Sequence, residues 1–212
     1  MTPRAVIGFA PFADADLLAM RQAGIQVLGT LGEEHRPDAG LPAKSQLRIG
    51  ALQVRHLAAH GHRRLGYAWP PDARLGVFAR DRLLGVRRAC ADLDLPEPVL
   101  LPVDPDVTGA AAAVRRWREE GVTAVAAYND DVALAVLAGL RAEGLACPAD
   151  CAVMGVDDIP AARLAAPPLT TVSQSIELQA RYLAALVLAD LDGADKPAHP
   201  GHGLHLVQRD SA

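Results

Sequence analysis

Arg82, Asn129 and Asp157 are the side chains whose types could select a small polar molecule. Arg82 offers a planar fork of donors, Asp157 a strong pair of acceptor oxygens, and Asn129 both a donor and an acceptor. A sugar or a nucleoside presents several hydroxyls or ring nitrogens. A site that selects one needs a few fixed polar groups, because a buried polar group left unpaired costs about 1–3 kcal/mol. Plainer roles compete with this one. Arg82 and Asp157 could form an ordinary ion pair, and Asn129 could simply cap a helix beginning at Asp130.

Aromatics are only 4 % of the chain, so the placement of Phe12, Trp69 and Phe78 near strand ends carries information. They are candidates for stacking on a sugar or base face, Trp69 first, with local packing as the alternative. His199, His202 and His205 recur every third residue, which could suggest a metal site. Gly and Pro make that stretch a loop entering a strand, so the three rings need not converge, and no metal is expected. Cys90, Cys147 and Cys151 make an odd count, and Cys147 and Cys151 do not have a usual zinc or redox spacing. They read as small apolar residues. No G-x-S-x-G, P-loop or G-x-G-x-x-G is present and no spacing singles out a catalytic pair, so neither an enzyme nor a bound cofactor is expected.

The elements that must position these groups follow from periodicity. Apolar runs at 5–10, 25–31, 65–69, 99–103, 123–128 and 151–156 alternate with stretches of helical period at 14–23, 45–60, 80–93, 109–120 and 130–143. Most of the runs are continuously apolar rather than alternating, as expected of strands covered on both faces. Most helical stretches stop at a Gly, and one stops just before Pro96. Strands alternating with helices imply right-handed crossovers and an open parallel sheet, with ligands outside the carboxyl ends of the strands. Arg82, Asn129 and Asp157 all fall at such junctions. After Pro167-Pro168 the pattern changes: residues 169–172 read as a short extended link, 174–191 as a long helix, 192–203 as a polar loop and 204–208 as a last strand.

Composition bounds the function. The 212 residues are 50 % hydrophobic, enough for one sizeable core or two small ones, and aliphatic side chains must build it. A net charge of −4 lacks the basic balance of a bare nucleic-acid binder. No run reaches the ~18 residues of a membrane-spanning helix, and the N-terminus lacks a secretion pattern. A cytoplasmic location with no membrane partner is therefore expected.

From about Gln46 onward the order of motifs resembles the LacI/GalR family of transcriptional regulators. Gly61-His62-Arg63-Arg64-Leu65 is similar to that family's GHRRI, and Arg82-Leu83-Leu84-Gly85 to its RxxGF. Asn129-Asp130-Asp131-Val132-Ala133 resembles NDxxA, and Gly155-Val156-Asp157-Asp158-Ile159 resembles GfDdi. Pro168-Leu169-Thr170-Thr171-Val172-Ser173-Gln174 is similar to PpLTTVxQ, and Leu206-Val207-Gln208-Arg209-Asp210-Ser211 to LvxRxS. Each motif alone is weak, but their order and spacing are specific.

The resemblance implies an α/β, two-lobed fold similar to periplasmic sugar-binding proteins, with a small-molecule effector between lobes joined by three crossovers. The lobes are expected at 1–69 plus 173–193 and 70–172 plus 194–212. It also implies effector contacts for Arg82, Asn129 and Asp157, and either a ligand contact or a crossover role for Gln174. Family members carry an N-terminal helix-turn-helix and two further βα units that this sequence lacks. DNA contact is thus expected only through a domain absent from this chain, and the first lobe is expected to be incomplete, with an exposed strand edge at 5–10. Where the family usually places an Asp facing the cleft, this chain has Lys44-Ser45-Gln46. The implied mechanism is effector-driven lobe closure in a homodimer. A sugar-binding protein of a transport system is the alternative reading.

Overall fold

The computed structural model describes residues 3–8, 12–30, 44–198, 201 and 203–212. The chain divides into two compact units, Met1–Ala43 with Ser175–Gly203, and Lys44–Gln174 with Leu204–Ala212. The smaller unit holds strands β1 (Ala5–Gly8) and β2 (Val27–Thr30), paired in parallel, and helices α1 (Asp14–Gln22) and α7 (Ile176–Asp192). The Ser175 hydroxyl caps α7 by accepting the Leu178 N–H at 3.3 Å, and Gly193 ends it in the left-handed conformation at φ 64°. Phe12 lies ahead of α1 in this unit.

The larger unit is a six-stranded sheet in the order β4-β3-β5-β6-β7-β8. Its strands are β3 (Leu65–Trp69), β4 (Val99–Pro102), β5 (Ala124–Ala127), β6 (Ala152–Val156), β7 (Thr170–Gln174) and β8 (Leu204–Val207). All neighbours are parallel except β7 and β8. The helices are α2 (Lys44–Ala59), α3 (Gly76–Asp92), α4 (Val107–Glu119), α5 (Asp130–Ala142) and the short α6 (Pro160–Leu164).

The sheet separates two apolar layers. Tyr67, Ala126 and Met154 pack with Ile49, Val54 and Leu57 of α2 and Leu83 and Val86 of α3. Ala68, Val125, Ala127 and Val153 pack with Val114 and Trp117 of α4 and Val136 and Leu140 of α5. Alternate residues of one strand thus enter different cores, which is why these runs read as apolar throughout. Trp117 also donates from Nε1 to the Val99 carbonyl of edge strand β4 at 2.9 Å.

Two expectations about organisation change. The boundary read at residue 69 lies instead at 43/44, because β3 is hydrogen-bonded between β4 and β5 while α2 packs against α3. The other unit boundaries fall at 174/175 and 203/204. Residues 169–172, read as a link, contribute to a full strand: β7 lies between β6 and β8, with Thr170, Thr171 and Val172 buried.

Candidate functional site

The carboxyl ends of β3, β5, β6 and β7 carry Trp69, Asn129, Asp157 and Gln174, so four of the sequence-derived candidates lie along one edge of the larger unit, while Arg82 and Phe78 lie within α3 rather than at a strand-to-helix junction. The backbone at Asp157 is unusual. Asp157 and Asp158 both have positive φ, 106° and 52°. Non-glycine residues rarely adopt this region, at a cost of about 1–3 kcal/mol each. The turn is held from several sides. The Asp157 N–H donates to the Val172 carbonyl at 2.8 Å, and the Asp158 carboxylate is paired with Arg209. The next N–H, of Ile159, donates to Asp130 Oδ2 at 2.9 Å.

Asp130 fastens this edge. Its other oxygen, Oδ1, accepts the Thr171 hydroxyl at 2.7 Å, so one fully buried carboxyl ties α5 to the β6 turn and to β7. Burial pushes its pKa up to about 6 despite these two hydrogen bonds, and the nearby Asp157 and Asp158 charges push the same way. Gly155 makes room for it: a Cβ there would meet Asp130 Oδ1 at 2.1 Å. The chain's end is tied in as well, with the Ser211 hydroxyl donating to the Val153 carbonyl at 2.6 Å and accepting the Thr170 N–H at 2.8 Å.

Asp157 itself is half-buried, with Oδ1 accepting from Gln174 Nε2 at 3.0 Å. Gln174 therefore fixes the carboxylate from the neighbouring strand. Asn129 is the N-cap of α5: its Oδ1 accepts the Val132 N–H at 3.0 Å. Arg82 is 3 % exposed, and Asp157 is not its partner. Its Nε and Nη2 donate to Gln46 Oε1 at 3.0 and 2.6 Å, and Nη1 donates to the Tyr128 carbonyl. The guanidinium also lies 4.5 Å from the centroid of the Tyr128 ring. Burial raises the Tyr128 phenol, the Arg82 charge opposes that rise, and Asp157 and Asp72 reinforce it, so Tyr128 stands in the field of both Arg82 and Asp157.

Close helix packing makes the Arg82–Gln46 contact possible. A Cβ on Gly50 would lie 2.2 Å from the Arg82 carbonyl oxygen, and one on Gly85 would lie 2.2 Å from that of Leu47. The α2 and α3 backbones therefore touch where Gln46 meets Arg82.

The aromatics lie to the α3 side. Trp69 lines a groove of about 480 Å³ between α3 and edge strand β4 with Arg80, Leu83, Leu100 and Pro102. The lining includes none of Asn129, Asp157 or Gln174. Phe78 is half-buried and packs against the core shared by α2 and α3. Of the histidine triplet, His205 is exposed on β8, while His199 and His202 lie outside the described residues. Among the described residues, no group of three His, Cys, Asp or Glu could hold a metal, and no helix is long and apolar enough to cross a membrane.

Sequence reasoning missed Gln46, Gln53 and Tyr128. Gln53 is fully buried and its Nε2 donates to the Ala127 carbonyl at 2.8 Å, at the end of β5. Gln46 and Gln53 are seven residues apart, two turns of one helix, and flank the buried Ile49. Two amides on a buried stripe were the available signal.

Residues 54–212 match the family model described as a periplasmic binding protein-like domain. The chain is 36 % identical over 168 residues to the HTH-type transcriptional regulator CelR of Thermobifida fusca, covering 76 % of this chain and 48 % of that protein. It is 33 % identical over 185 residues to the regulator GalR of Salmonella typhimurium, covering 83 % and 52 %. The chain thus spans about half the length of these curated relatives, which are transcriptional regulators rather than enzymes. In fold it is similar to a sugar-binding transcriptional regulator of the LacI family from Escherichia coli, crystallised with phosphate, at a TM-score of 0.80 and 21 % identity, covering 99 % of this chain and 77 % of that one. The chain belongs to the periplasmic binding protein-like domain family, in the form found in LacI/GalR-type regulators.

Proposed function

We propose that this chain is the effector-sensing part of a LacI/GalR-like transcriptional regulator, and that the carboxyl edge of its six-stranded sheet holds a small polar molecule of the sugar or nucleoside/purine class. One observation carries the reading. Asp157 is held in a rarely occupied backbone conformation at the end of a buried strand, with its carboxylate oriented by Gln174 and left half-exposed. Strain of this kind persists only where surrounding contacts enforce it, and it clusters at ligand sites.

In this reading Asp157 accepts ligand hydroxyls and Gln174 fixes its orientation. Asn129 offers its amide nitrogen while its oxygen caps α5. Arg82 supplies the cationic donors, and Trp69 and Phe78 pack on the α3 side. The neighbouring regulators favour this role over that of a transport protein. Binding acts by favouring one of two states of a homodimer, and its effect cannot exceed the ligand's differential affinity for them. Operator contact belongs to a helix-turn-helix domain outside these residues. The chemistry is recognition rather than turnover, in a cytoplasmic setting.

The test is a thermal-shift panel of sugars, nucleosides and purines, followed by calorimetry on the responders. Asp157→Ala should abolish binding with an unchanged circular dichroism spectrum. Binding of equal strength in that variant would refute the site. Arg82→Ala is a poorer probe, since it orphans Gln46 Oε1 and the Tyr128 carbonyl, at about 1–3 kcal/mol of stability for each buried group.

A further inference from the structure

Arg82 keeps its positive charge almost wholly out of water, and among the described residues none of its partners is an anion. Two of its nitrogens converge on the neutral amide oxygen of Gln46, a third meets a backbone carbonyl, and a tyrosine ring faces the guanidinium. The carboxylates of this edge are engaged elsewhere. Asp157 is bonded to Gln174, Asp158 is paired with Arg209 and Arg163, and Asp72 is paired with Arg74. Asp130 accepts from Thr171 and from the Ile159 N–H. A buried cation without a counter-ion is costly, and buried charges are ordinarily paired. The position shared by Nε and Nη2 is the seat that a carboxylate or phosphate oxygen takes on a guanidinium. Here a flexible neutral side chain on the first turn of α2 fills it. Three of the guanidinium's five N–H groups are used among the described residues, which leaves one donor each on Nη1 and Nη2 there.

We infer that the ligand of this edge carries an oxyanion. It is a hydroxylated molecule with a carboxylate or phosphate, a sugar acid or a sugar phosphate. Its anion takes the place of Gln46 Oε1 on Arg82 while its hydroxyls meet Asp157. The inference rests on the reading of the edge as a site for a small polar molecule given above, in its sugar form. Asp157 sets the direction of the bound molecule, because its carboxylate repels the anionic end and accepts from the hydroxylated one. Tyr128, whose carbonyl accepts from Arg82 and whose ring faces the guanidinium, flanks the seat of the anionic end.

Calorimetry on the chain as it stands tests this with matched compounds: glucose, glucuronate and glucose 6-phosphate; galactose, galacturonate and galactose 6-phosphate; ribose and ribose 5-phosphate. At least one acid or phosphate should bind on the order of 10- to 100-fold tighter than its neutral parent, the margin of charge-assisted over neutral hydrogen bonds. Whether the carboxylate or the phosphate arm responds names the anion. Gln46→Glu places an internal anion in the same seat, so it should erase that preference, with a melting temperature equal to or above the parent's. Neutral parents that bind as well as their anionic partners would overturn the inference while leaving the polyol site standing. An anion preference that survives Gln46→Glu would also overturn it, because the anion would then sit elsewhere. Binding by none of the compounds would overturn the sugar form of that reading together with the inference.

Discussion

Gly50→Ala should separate α2 from α3 and loosen the edge that Arg82 supports. The new Cβ would lie 2.2 Å from the Arg82 carbonyl oxygen and 2.7 Å from the Val86 nitrogen, whereas ordinary contact begins at 3.4 Å. Both obstacles are backbone, so the helices must part by about 1.2 Å, the difference between 3.4 and 2.2 Å. Ile49, Val54, Leu83 and Val86, all 5 % exposed or less, lose contacts when that gap opens. Overpacking of this kind costs about 1–3 kcal/mol, and an unyielding backbone puts it near the upper end. Replacing a mid-helix glycine by alanine returns up to about 1 kcal/mol. The net loss is about 2 kcal/mol, or about 4–8 °C in melting temperature for a chain of this size. Guanidinium and thermal unfolding measure it. Gly76→Ala is the control, since a Cβ on that α3 residue meets nothing within 4 Å, and it should leave stability unchanged or slightly raised. A Gly50→Ala protein as stable as the parent would refute the backbone-to-backbone contact.

Asp130 and the cysteines give two further expectations. The Asp130 pKa in the fold, about 6, exceeds its ordinary value of 3.8, so the folded state binds the extra proton between those pH values. Stability should therefore rise as pH falls from about 6 toward 4, by up to about 3 kcal/mol from this group. Asp130→Asn should remove that slope, as read by denaturant unfolding across the pH range; parallel slopes would dismiss the assignment. Burial pushes the Cys90 and Cys147 thiols up to about 11 and that of Cys151 up to about 12. Thiol reagents at pH 8 should thus label the native protein slowly and the unfolded chain fast; rapid native labelling of all three would contradict the packing.

The α/β class and most elements were legible in the sequence because they rest on local rules. Strand β3 begins and ends where the apolar run does, and α5 begins directly after the capping Asn129. Part of the edge was also legible, since the topology of a parallel sheet dictates that Asn129 and Asp157 fall at its carboxyl ends, whereas Arg82, expected there too, lies within α3.

What only the tertiary structure decided was the assignment of partners. An ion pair between Arg82 and Asp157 was a natural pairing by charge. Gln46 won instead because Gly50 and Gly85 let α2 and α3 approach until the amide reached the guanidinium. Asp130, the first acid of the Asn129-Asp130-Asp131 stretch, became the buried fastener of three elements because Gly155 left space beneath β6. The unit boundary moved from 69 to 43/44 because the ladder placed β3 between β4 and β5. Periodicity and capping act within about one helical turn and so are written in the chain. Which polar group meets which depends on helix-to-helix and strand-to-strand distances that no local stretch encodes.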